Sequence, residues 1–74
     1  MIAKVIVDVP SRETDRPFDY AVPSGMAEWL DLGSRVGVPF GGRVLQGFVV
    51  ELADEASVDR GRLKPIAELL DPVP

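Results

Sequence analysis

The sequence predicts a small, mainly β domain, on three observations. At 74 residues it is one small domain at most. Eleven of those residues are valine, and apolar and polar positions alternate over several stretches, both of which favour strands. Seven glycines and seven prolines punctuate those stretches closely enough to set short turns between them.

Residues 2–9 open the chain with clean alternation. Ala3, Val5, Val7 and Val9 fall on one face and Lys4, Ile6 and Asp8 on the other, the pattern of a half-buried strand. Pro10 ends it, and Ser11 to Arg16 is a polar loop. Pro17 favours extended backbone before it. Phe18 to Val22 makes a short second strand, with Phe18, Tyr20 and Val22 inward and Asp19 and Ala21 outward.

Pro23-Ser24-Gly25 signals a turn. Met26, Trp29 and Leu30 then recur at helical spacing, so Met26 to Leu32 is expected to wind one or two helical turns ended by Gly33. Trp29 reads as the core anchor of that segment rather than as a stacking surface. Ser34 to Phe40 alternates again, with Val36, Val38 and Phe40 inward and Arg35 and Gly37 outward. Pro39 cannot donate to a ladder, so it belongs at an edge or a strand end.

Gly41-Gly42, between two alternating runs, is a hairpin turn. Arg43 to Leu52 is the longest strand candidate and is apolar on both faces, which places it centrally; Gly47 suggests a bulge or bend within it. Asp54 to Arg62 is a charged loop. Leu63 to Leu70 stays open between two readings. Pro65 can begin a short helix, or Leu63 to Ile66 can be an edge strand. The expected fold is a small five-stranded, mostly antiparallel, OB-like barrel with one or two short helical turns. Closure would remove exposed strand edges.

Composition excludes several kinds of chemistry. There is no histidine, which removes the commonest general base and the usual partner of a nucleophilic serine. There is no cysteine, hence no disulfide and no thiolate metal site. Neither a phosphate-cradling loop nor a nucleophile elbow is present. No catalytic residue, metal or cofactor is therefore expected. Eight basic against twelve acidic side chains give a net charge of −4, which argues against strong duplex binding through counterion release. A small local nucleic-acid pocket remains compatible with it. No apolar run approaches the roughly 20 residues of a membrane span. The amino terminus enters a strand pattern directly, unlike a signal peptide. A cytoplasmic location without membrane contact is expected.

One ordered constellation carries more information. Arg16-Pro17-Phe18-Asp19-Tyr20 is followed by Gly33 to Gly41, ending Val38-Pro39-Phe40-Gly41. Then come Gln46-Gly47-Phe48-Val49-Val50 and Leu63-Lys64-Pro65-Ile66. In order and spacing this resembles the amino-terminal domain of the PriA (primosomal protein N′) family of replication-restart DNA helicases, over residues 2–72. The resemblance implies a non-catalytic module that captures the 3′ end of the nascent leading strand at stalled forks. Its pocket residues correspond here to Phe18, Asp19, Gly41 and Lys64. It also implies partners: single-stranded or forked DNA with a free 3′-OH end, and primosome proteins through the parent. Residues 1–72 are then the DNA 3′-end-binding domain. Residues 73–74 are the start of a linker to a winged-helix and helicase region, where ATP hydrolysis and zinc would belong.

The residue types suit that role. A carboxylate such as Asp19 repels phosphate but accepts a hydrogen bond from a sugar hydroxyl or a base N–H. Lys64 would supply the compensating charge toward phosphate, and Gly41 would let backbone approach the ligand. Taken singly, Asp19 and Lys64 are ordinary surface charges, and Phe18 and Tyr20 ordinary core aromatics. Arg35, Arg43, Arg60 and Arg62 could guide a nucleic-acid backbone, with none singled out. The rival class is an SH3-like protein-interaction barrel for a peptide or a partner domain. An enzyme subdomain that supplies fold without chemistry is a third. Peptide-binding barrels show clusters of exposed aromatics, whereas the aromatics here are expected mostly on inward faces.

Overall fold

The computed structural model describes residues 1–8, 16–54 and 63–70. Five strands form one sheet: β1 (Ile2–Val7), β2 (Phe18–Ala21), β3 (Arg35–Phe40), β4 (Arg43–Ala53) and β5 (Glu68–Leu69). Their spatial order is β2-β1-β4-β3-β5, and every ladder is antiparallel. The expected barrel-like, mainly β fold is what forms, although the sheet does not close. An isolated parallel bridge joins Ala21 to Pro65, linking the β2 edge to the segment that leads into β5. The Ala21 N–H donates to the Lys64 carbonyl and the Ile66 N–H to the Ala21 carbonyl, both at 3.0 Å. Residues 63–70 thus take the extended reading rather than the helical one.

The core is a valine core. Val5, Val7, Val36, Val38 and Val49 are buried from the three middle strands, with Tyr20, Leu30 and Ile66 packed among them. β-branched side chains fill a pleated face with little rotamer freedom to lose, which is why these segments settle as strands. Gly41 and Gly42 both have positive φ, 59° and 80°, as a two-residue hairpin requires. In such a hairpin the flanking pair, Phe40 and Arg43, is hydrogen-bonded, so Pro39 opposite Val44 falls in a non-hydrogen-bonded pair. Its missing N–H faces away from β4. It also lies beyond the stretch where β5 pairs with β3, which is Val36 and Gly37. Proline is tolerated there for that reason.

β4 is central, as expected, but its irregularity is not at Gly47. Lys4 lies opposite Glu51 whereas Val5 lies opposite Val49, so Val50 is the extra residue of a bulge. Gly47 has a different task. A Cβ there would stand 2.6 Å from the Ile6 carbonyl oxygen and 2.7 Å from a Val5 methyl, so glycine is what lets β1 pack against β4. The bulge also explains the two apolar faces. Gly47 and Val49 point inward before it, and Leu52, opposite buried Ala3, points inward after it.

Met26 to Leu32 does not become a helix. It forms consecutive turns, with the Met26 N–H donating to the Pro23 carbonyl and the Trp29 N–H to the Met26 carbonyl, both at 2.9 Å. So short a segment cannot offset the cost of nucleating a helix. The turns present Leu30 to the core and leave Trp29 54% exposed, so Trp29 is not the anchor the helical spacing suggested. Gly33 ends the segment at φ 87°, as expected. Of the expected loops Ser11 to Arg16 and Asp54 to Arg62, residues 11–15 and 55–62 lie outside the described residues, as do Val9 with its inward assignment and the linker start at 73–74.

Candidate functional site

Two of the four candidate residues, Phe18 and Asp19, are the first two residues of the edge strand β2. They point to opposite faces of the sheet, Phe18 opposite buried Val5 and Asp19 opposite Lys4. Gly41 and Lys64 lie in segments that contact β2. Phe18 is 36% exposed at the rim, and its ring meets that of Phe40 edge-on, with centroids 5.2 Å apart and planes at 74°. The Tyr20 hydroxyl donates to the Pro39 carbonyl at 2.9 Å. These two contacts hold the β3–β4 hairpin tip, and Gly41 with it, against a strand three places away in the sheet. Such a contact requires strong curling. From the other side, Lys64 reaches β2 through its carbonyl, on which Ala21 donates, while its side chain is exposed.

Asp19 faces outward, as the alternation predicts, yet only 8% of its side chain is exposed. Lys4 stands directly opposite on β1, and its ammonium donates to Asp19 Oδ1 at 2.9 Å. On its other flank, Lys4 is opposite Glu51 of β4. The hydrogen bond to the Asp19 carboxylate, reinforced by the charges of Asp19 and Glu51, holds the Lys4 ammonium above the ordinary lysine range despite some desolvation. Burial likewise pushes the Tyr20 phenol upward. The site therefore presents an oriented carboxylate with a lysine counter-charge already in place.

Gly41 owes its identity to backbone conformation. It is exposed, and a Cβ there would meet nothing within 4 Å, so the requirement lies in its φ of 59°. Lys4 was missing from the sequence-based set. Its signal was present in the alternation: Lys4 and Asp19 are outward charges of opposite sign on adjacent strands, and only the register was needed to pair them. Phe40, the neighbour of Phe18, was assigned inward and is half-buried.

The aromatics depart from expectation. Phe18, Trp29 and Phe48 are exposed by 36, 54 and 45%: Phe18 keeps its inward face, opposite buried Val5, but lies at the rim, whereas Trp29 and Phe48 are turned to solvent. Phe48 lies on the outer face of β4, opposite Arg35. Trp29 borders a shallow apolar groove of about 420 Å³ with Met26, Pro23, Ile66 and Leu69. Among the described residues, no helix is long and apolar enough to cross a membrane.

Two comparisons bear on what this surface is. Residues 4–74 match the family model for the PriA 3′DNA-binding domain (3′BD). Replication restart protein PriA of Bacillus subtilis (strain 168) is 42% identical over 72 residues. That alignment covers 97% of this chain and 9% of the Bacillus protein, so the chain spans about a tenth of its relative's length.

Proposed function

Since the chain belongs to the PriA 3′DNA-binding domain family, we propose that it captures the 3′ end of the nascent leading strand at stalled forks. In this reading it is a non-catalytic module of a replication-restart protein. The longer protein acts as an ATP-dependent helicase in the cytoplasm, and contacts with primosome proteins run through its other parts. The observation that carries the reading is the Asp19 carboxylate, oriented by Lys4 on the outer face of an edge strand.

A terminal nucleotide offers a 3′-hydroxyl that can donate to a carboxylate, whose two oxygens carry about four acceptor positions, one of which Lys4 takes at Asp19. An internal nucleotide offers a phosphodiester in its place, losing the donor and adding repulsion. Lys4 limits the net negative charge at the spot without supplying an acceptor of its own. Phe18 gives the rim an apolar ring beside the sugar or base, and Gly41 leaves open space where a side chain would stand. Lys64 faces the phosphate that precedes the end.

The test compares oligonucleotides ending in 3′-OH and 3′-phosphate by fluorescence anisotropy. A hydrogen bond to a charged group contributes about 1.5–3 kcal/mol, so the hydroxyl end should bind roughly tenfold tighter or better. Asp19→Asn should shrink that preference from both sides. Lys64→Ala should weaken both ligands alike. Equal binding of the two ends by the unaltered protein would sink the reading.

A peptide-binding role has one observation in its favour, the exposed Trp29 beside its apolar groove. Peptide binding that survives saturation with 3′-OH DNA would give that groove a separate occupant.

A further inference from the structure

We propose that the outer face of the sheet holds a second nucleotide site, built on Phe48 and Arg35, that takes a nucleotide upstream of the captured end. The inference rests on the end-binding reading and extends it. Arg35 and Phe48 are directly opposite each other on β3 and β4 and both are exposed. With Gln46, Gly47 and Asp8 they line a cavity of about 320 Å³, at the small end of the roughly 300–1,000 Å³ range of ligand pockets. The chemistry is that of a nucleotide. An aromatic face takes the base, a guanidinium takes phosphate, and an amide with a carboxylate can meet the polar edge of a base. Asp8 turns the base rather than the phosphate toward its own end of the cavity.

Continuity with the end site sets the register. Asp19 is opposite Lys4, Ile6 follows on the same outer face of β1, Ile6 is opposite Phe48, and Phe48 is opposite Arg35. Two strand spacings and one two-residue step separate Asp19 from Phe48, about 12 Å. A single strand held by its 3′ end at Asp19 can cross that distance within a few nucleotides. The arginine that nothing in the sequence distinguished is singled out by its cross-strand partner.

The experiment compares a 3′-OH dinucleotide with a 3′-OH hexanucleotide, using amide chemical shifts and affinity on the 74-residue chain. The hexanucleotide should shift the amides of Arg35, Gln46 and Phe48, and the dinucleotide should not. Phe48→Ala should weaken the hexanucleotide roughly tenfold and leave the dinucleotide unchanged, while Phe48→Tyr should restore the difference. Arg35→Gln should lower the salt dependence of hexanucleotide binding by about one phosphate. If the 3′-OH preference holds but both lengths respond alike to Phe48→Ala, this inference is overturned alone. If the preference is absent, the end-binding reading fails and this site falls with it.

Discussion

β4 and β2 flank the same strand, β1, and are held against it by different means. β4 runs eleven residues, pairs on both sides and buries valine on its inner face. Its one register irregularity against β1 is the bulge at Val50. β2 runs four residues, has one ladder, and is tied on its other side by a single bridge. Side chains do for β2 what backbone pairing does for β4: an ion pair, an aromatic contact and a tyrosine hydroxyl. Two of the proposed binding residues, Phe18 and Asp19, sit on the element held by side chains. In the proposed reading, stability and recognition therefore fall to different strands of one small sheet.

The largest effect should come from the centre. Gly47→Ala forces a Cβ into β1 backbone and should cost about 3 kcal/mol. A domain of this size rarely holds more than about 3–5 kcal/mol, so chemical denaturation should show it barely folded. A fully stable Gly47→Ala would mean that β1 and β4 separate easily, and the contrast with β2 would collapse. Gly41→Ala, at the hairpin tip, meets no neighbour and strains only its φ, for roughly 1–2 kcal/mol. Any loss of 3′-end affinity beyond its fraction unfolded would show that DNA approaches this backbone.

Tyr20→Phe removes the tie between β2 and the hairpin tip and should cost about 1 kcal/mol. Amide exchange should then quicken in β2 and at the tip before it changes in β4; uniform quickening would break the comparison. The smallest effect is on pH. Lys4 and Tyr20 both have raised values in the folded state. Their contributions are whole below their unfolded values, about 10 for each, and fade as pH climbs through the folded values. Stability should therefore be level through neutral pH and decline above about pH 10. Tyr20→Phe should make that decline shallower in a series of denaturant midpoints.

Much of the sheet was legible because its signals are local. Alternation marks Ala3, Val5 and Val7, a glycine pair marks the hairpin, and apolar faces on both sides mark β4. What escaped was long-range. The bulge at Val50 follows from the register against β1, which no single strand's pattern contains, whereas Gly47 answers to close packing against β1. Trp29 was misplaced because helical spacing was read in a segment too short to be a helix. At the site, Phe18, Asp19, Gly41 and Lys64 came from ordered motifs, of which the first two lie together on β2. Lys4 came only with the pairing of β1 and β2.

The bridge between Ala21 and Pro65 bears on how the chain behaves among its own copies. A bare edge strand is a template for pairing with the next molecule. Here the chain lays its own residues 64–66 along β2 and uses the Lys64 carbonyl and the Ile66 N–H to do so. At a parallel bridge the middle residue turns its own N–H and C=O away from the partner strand. That residue is Pro65, which has no N–H to offer. A second molecule arriving at this margin finds the row of donors already interrupted, so concentration alone gives it little to add to.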